Sequence, residues 1–76
     1  MSNIPAITAR LLIQFLQYSG FQQVRQKGSH IFFRHSDGRT GTVPMHKGED
    51  LGKGIFNKIL RDVEMSKEDF MAWYLK

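Results

Sequence analysis

The sequence predicts a small α+β domain in which helices cover one face of a three-stranded antiparallel sheet. Three observations carry this expectation. Apolar residues recur at helical spacing in two segments, around residues 11–16 and 55–63. Between them lie three short runs that read as strands, separated by the turn signals Gly28-Ser29 and Asp37-Gly38. Turns this short join antiparallel neighbours, and an antiparallel sheet can leave one face open while helices cover the other.

Taken in order, residues 1–7 contain Pro5 and read as an extended lead-in. Thr8 is placed to cap a helix running to about Ser19, and Gly20 closes it. Leu11, Leu12, Phe15 and Leu16 form its apolar face, and Ile13 falls off that face, either as a partner contact or simply exposed. Phe21 to Lys27 is the first strand, led by Phe21 and Val24, and His30 to His35 is the second. The two-residue period puts His30, Phe32 and Arg34 on one face and Ile31, Phe33 and His35 on the other. Each set contains an apolar residue, so periodicity leaves open which face meets the helices. Arg39 to Pro44 is the third strand, with Pro44 marking its end or a sheet edge.

Met45 to Lys53 reads as a loop, followed by a helix from about Gly52 to Glu64. Ile55, Phe56, Ile59, Leu60 and Val63 make its apolar stripe, with Lys58, Arg61 and Asp62 opposite. Ser66-Lys67-Glu68-Asp69 has the spacing of a capping box, opening a short helix to Leu75. Its apolar side is Phe70, Met71, Tyr74 and Leu75, and Trp73 and Tyr74 read as core aromatics. The order is α-β-β-β-α-α in a single domain over residues 1–76.

At 76 residues the chain is one domain that buries only roughly 60% of its unfolded surface. It has no cysteine, which excludes disulfides and Cys-based zinc sites and permits a reducing cytoplasm. No apolar run approaches the ~20 residues of a membrane span, and the N-terminus lacks the pattern of a secretory signal. The net charge of +4 is uneven: residues 1–48 carry +5 and residues 49–76 carry −1. The basic excess falls on the strands, which favours a polyanionic partner.

The chain is organised around Gln26-Lys27-Gly28-Ser29-His30. Gly followed by Ser between two strands is the signature of a type II′ turn, whose first central residue needs φ > 0. His30 then begins a strand with Lys27 directly across from it. A solitary histidine in such a place is ordinarily a surface residue. Beside a cation in a basic chain, it also has the chemistry to attack a phosphodiester.

The series Ser19-Gly20-Phe21, Arg25-Gln26-Lys27-Gly28-Ser29-His30, Arg34-His35-Ser36-Asp37-Gly38 and Thr42-Val43-Pro44-Met45-His46 resembles the HicA toxin family. Leu51-Gly52-Lys53-Gly54, Ile59-Leu60-Arg61 and Ser66-Lys67-Glu68-Asp69-Phe70 extend the likeness over nearly the whole chain, from about Ile4 to Leu75. The resemblance implies a fold like the double-stranded RNA-binding domain. It implies a messenger-RNA interferase that cuts without a metal or other cofactor through the His of its Gly-Ser-His motif, here His30. It also implies a HicB-type antitoxin partner that covers the site. One departure is visible: the family's second helix opens with Gly-Thr, and here Gly54 is followed by Ile55, so any phosphate or capping contact of that hydroxyl is lost.

The chemistry fits the residues. RNA cleaves when its 2′-hydroxyl attacks the adjacent phosphorus, and an imidazole with an ordinary pKa of ~6.5 is a base suited to that proton. Lys27, with Arg25 or Arg34, is placed to stabilise the charged phosphorane, and Ser29 of the same turn is a further candidate for RNA binding or charge stabilisation. His35 and His46 are candidates for the leaving-group acid, as is water. His46 is also a candidate contact for RNA or antitoxin, whereas His35, beside the Asp37-Gly38 turn, reads as structural or surface. Lys53 at a helix start is a candidate phosphate contact. His30 and His35 point to opposite faces of a regular strand and no histidines pair on a helix, so no metal is expected. A non-catalytic RNA-binding module is the competing class of function. A third role for the same surface is antitoxin binding, with Ile13, Phe32 or Phe33 as apolar anchor.

Overall fold

The computed structural model describes residues 6–45 and 50–76. Helix α1 (Ala9–Tyr18) leads into strands β1 (Phe21–Lys27), β2 (His30–His35) and β3 (Thr40–Pro44), followed by helices α2 (Lys53–Asp62) and α3 (Lys67–Tyr74). The strands lie side by side in the order β1-β2-β3, each pair antiparallel. This is the expected α+β arrangement, consistent with the double-stranded RNA-binding-domain type. β3 is an edge strand and stops at Pro44, so both readings of that proline hold.

Helices α1 and α3 begin where a side chain can satisfy free amides. The Thr8 hydroxyl accepts the Leu11 N–H at 3.1 Å. The Ser66 hydroxyl accepts the Asp69 N–H while the Asp69 carboxylate accepts the Ser66 N–H, which completes the capping box. Gly20 follows α1 with φ +98°, the left-handed geometry that lets a chain leave a helix sharply.

The core lies between the helices and one face of the sheet. Leu12, Phe15 and Leu16 of α1 meet Ile31, Phe33 and Val43 of the sheet and Phe56, Ile59 and Leu60 of α2. The ring of Phe70 is fully buried and stands edge-on to Phe15 and Phe56, 5.2 and 5.1 Å away, so α3 docks chiefly through one side chain. Ile31 and Phe33 thus identify the helix-facing side of β2, which the sequence left open.

Several apolar residues fall elsewhere than their periodicity suggests. Ile13 is half-buried against the core rather than exposed. Ile55 is exposed, because it lies roughly 90° round α2 from the centre of the Phe56–Val63 stripe at 3.6 residues per turn. Tyr74 and Leu75 are exposed as well, because α3 meets the core through Phe70, Met71 and Trp73. Tyr74 lies stacked on the Phe70 ring, and Trp73 is half-buried beside Phe15.

Val24 is the most informative of these corrections. Its apolar side chain suggests that it leads β1 into the core with Phe21, yet it is 57% exposed. The β1–β2 register runs Phe21↔His35, Gln22↔Arg34, Gln23↔Phe33 and then Arg25↔Phe32, leaving Val24 as the extra residue of a β-bulge. Phe21 and Lys27 are six residues apart, so a regular strand would present both on one face. The bulge breaks that parity. Phe21 turns into the core while Arg25 and Lys27 face the open side.

Candidate nucleic-acid interface

The open side of the sheet is built from three cross-strand rows. Lys27, His30 and Pro44 form the row next to the first turn; Arg25, Phe32 and Thr42 form the middle row; Gln22, Arg34 and Thr40 form the last. Gly28 has φ +59° and Ser29 does not enter the positive-φ region, the φ signs of the expected type II′ turn. The turn is fastened by the Gln26 amide donating to the Gly28 carbonyl at 3.0 Å, and by the Met45 N–H donating to the Ser29 carbonyl at 2.6 Å. His30 is exposed, and Lys27 is its Cα partner across the turn.

No carboxylate lies in these nine positions. Among the described residues, ion pairs form between Arg39 and Asp37 and between Lys58 and Asp62; His35 lies beside Asp37 and pairs with it only when protonated. Arg25, Lys27 and Arg34 take no part in them, so the three cations of this face have no ion-pair partner among the described residues. The Arg25 guanidinium lies over the Phe32 ring, 4.8 Å from its centroid. Phe32 itself is half-buried, whereas Phe33 belongs to the core and offers no anchor to a partner. Phe32 shares this face with His30 as the two-residue period predicts, whereas the use of Thr42 and Gln22 is not legible until the register is known. The two-residue period then finds them.

The remaining sequence-based candidates lie apart from these rows. His35 is on the helix-facing side at the far end of β2, roughly 17 Å of strand from His30 at 3.3–3.4 Å per residue. This position rules it out as an acid at the same phosphate. Its ring stands edge-on to Phe21 at 5.1 Å, and its Nδ1 accepts the Asp37 N–H at 3.1 Å in the neutral form. A Cβ at Gly20 would come within 2.8 Å of its Nε2, so His35 is seated on that glycine. Asp37 also accepts the Arg39 N–H and Nε–H, and the Arg39 Nη1 donates to the Val63 carbonyl at 2.8 Å. The Arg39 amide is the main reason the Asp37 carboxyl is held below its ordinary pKa. This network is a strut joining the β2–β3 turn to the end of α2.

Lys53 opens α2 and lines a cleft of about 250 Å³ with Ile7, Asp50, Leu51, Phe56 and Lys67, none of them in the three rows. His46 lies outside the described residues. Among the described residues no three histidine or carboxylate side chains converge as a metal-binding group would require.

A family model for the HicA toxin of bacterial toxin–antitoxin systems matches residues 9–65, well over half of the chain. The chain belongs to the HicA toxin family. A comparison with curated proteins finds no match. The span shared with the HicA toxins holds α1, the whole sheet and α2, and it therefore contains all three rows of the open face. α3 lies beyond it. Membership assigns the chain the toxin side of a toxin–antitoxin pair and with it a cognate antitoxin. No helix among the described residues is long and apolar enough to cross a membrane.

Proposed function

We propose that this HicA-family chain is a metal-independent endoribonuclease that cleaves messenger RNA in the cytoplasm and is silenced by a HicB-type antitoxin covering the open sheet face. The observation that carries the reading is the exposed imidazole of His30 in one cross-strand row with Lys27, on a face with two further cations and, among the described residues, no acid in its three rows. The His30 imidazole accepts the 2′-hydroxyl proton, the 2′-oxygen bonds to phosphorus, and the bond from phosphorus to the 5′-oxygen breaks. This gives a cyclic phosphate and a free 5′-hydroxyl. Lys27, backed by Arg25 and Arg34, offsets the added charge on the phosphoryl oxygens. With His35 on the other face, the leaving oxygen takes its proton from water or from His46. Ser29 supports this chemistry by holding the turn, and Lys53 is assigned a phosphate further along the strand.

The test is cleavage of RNA by wild type and His30→Ala in the presence of a chelator. Loss of at least a hundredfold in rate in the variant, with wild-type activity unaffected by the chelator, is expected; general-base groups contribute on the order of 10²–10⁴. Equal rates in the two proteins defeat the assignment. Binding by wild type with no strand cleavage at enzyme excess leaves the non-catalytic RNA-binding module as the better account.

A further inference from the structure

We propose that Phe32, with the Arg25 guanidinium over its ring, is the stacking platform for one unpaired nucleobase, so that the strand held beside His30 is single-stranded RNA. The ribonuclease reading supplies the identity of the polymer; the platform itself follows from the geometry of the sheet.

Phe32 is an anomaly on this face. Its neighbours in sequence, Ile31 and Phe33, are in the core, while Phe32 points the other way and belongs to no apolar cluster. An aromatic ring left half in water on a cationic surface has nothing of the fold to hold. With a guanidinium over it at 4.8 Å, ring and cation together offer π-surface of the kind on which unstacked bases of RNA are held. Arg25 owes its place there to the Val24 bulge, which lets the strand turn Phe21 inward and still keep Arg25 opposite Phe32.

Position ties the platform to the reaction. Phe32 and His30 are two residues apart on one strand face, roughly 7 Å, which is of the order of one nucleotide step along an extended backbone. A phosphate beside His30 and Lys27 therefore brings an adjacent base over the middle row. The cations on either side, Lys27 and Arg34, complement the charge of the backbone that joins them. A base paired in an A-form duplex cannot reach the ring, because its π-faces are already stacked. The platform thus selects unpaired strands.

The experiment measures equilibrium binding of short mixed-sequence oligoribonucleotides to the full chain carrying His30→Ala, which prevents cleavage during the measurement. Phe32→Leu in that background keeps the apolar bulk and removes the π-face, and Phe32→Trp restores it. Leucine should weaken single-strand binding by roughly 5- to 150-fold, the range for one base on an aromatic ring, and tryptophan should recover it. In a series of oligonucleotides each abasic at a single position, one member should lose the same factor when Phe32 is present. That member should lose almost nothing in the Phe32→Leu variant, where the platform is already gone. Unchanged affinity in Phe32→Leu, or equal affinity for the fully paired duplex, overturns the proposal. So does loss of antitoxin affinity in Phe32→Leu with RNA affinity intact, which assigns the ring to the protein partner. If the protein with His30 intact binds through Phe32 but never cuts, the ribonuclease reading fails and the platform stands.

Discussion

Replacing Gly41 by alanine should destabilise this protein, although alanine is the better residue for an ordered strand. Gly41 is buried on β3, opposite Phe33, under the end of α2. A Cβ built there stands 2.6 Å from Cγ1 of Val63, against an optimum of about 3.5–4.0 Å between carbons. Val63 has little room to yield. It is fully buried, its β-branched side chain is stiff, and its carbonyl is held by Arg39 at 2.8 Å. Relief must come from α2 lifting off the sheet. Overpacking of this kind costs about 1–3 kcal/mol, while the loss of unfolded-chain freedom returns about 0.4–1 kcal/mol. The clash wins, for a net loss of about 1–2 kcal/mol and a fall in Tm of roughly 5–15 °C for a chain of this size. Urea unfolding of Gly41→Ala, Val63→Ala and the double variant checks the cause. The methyl at position 41 occupies space that Val63→Ala vacates, so the double variant should lose at least about 1 kcal/mol less than the sum of the singles. A Gly41→Ala protein as stable as wild type, or strict additivity in the cycle, refutes the close approach.

Four further outcomes are expected. His30→Ala should abolish cleavage and leave the unfolding midpoint unchanged, whereas His35→Ala should cost about 1–2 kcal/mol through the lost Phe21 contact and turn hydrogen bond and keep its activity per folded molecule; the reverse pattern contradicts the placement of the two rings. Ser66→Ala should cost about 0.5–2 kcal/mol as a lost cap. The partnered Asp69 carboxyl is held below its ordinary pKa, first by the Ser66 N–H and then by the Ser66 hydroxyl. A depressed folded pKa gives stability that is present above the unfolded value and lost as pH falls through the folded one, and Asp37 has the same sign. The stability gap between wild type and Asp69→Asn should therefore close below pH about 4, and a gap that persists in acid removes the cap from the explanation. Deleting Val24 should leave a regular β1 with Phe21 inward and Arg25 outward, folded and still able to bind RNA. Deleting Gln26 instead moves Arg25 opposite Ile31 and should weaken binding; equal behaviour of the two deletions argues against the bulge.

Element boundaries were legible to within a residue or two because their causes are local. The Thr8 and Ser66 caps, the Gly20 exit and the Gly28-Ser29 turn act through torsions and hydrogen bonds within four residues of themselves. His30 opposite Lys27 was legible for the same reason, since a two-residue turn sets the register of the strands it joins. The limits appear where a residue's role depends on distant chain. Tyr74 fits its helical stripe, and only the extent of the neighbouring surface leaves it in water.

From its sequence alone this protein acquires six elements in order, their turns and caps, and a histidine beside a lysine. Tertiary structure decided which side of β2 is covered, that Val24 is set aside so that Phe21 and Lys27 can face opposite ways, and that His35 serves the fold at a distance from His30. The division has a physical reason: hydrogen bonds and torsions are settled between near neighbours, whereas the facing of a strand is settled by whichever apolar ring the whole core has room to enclose.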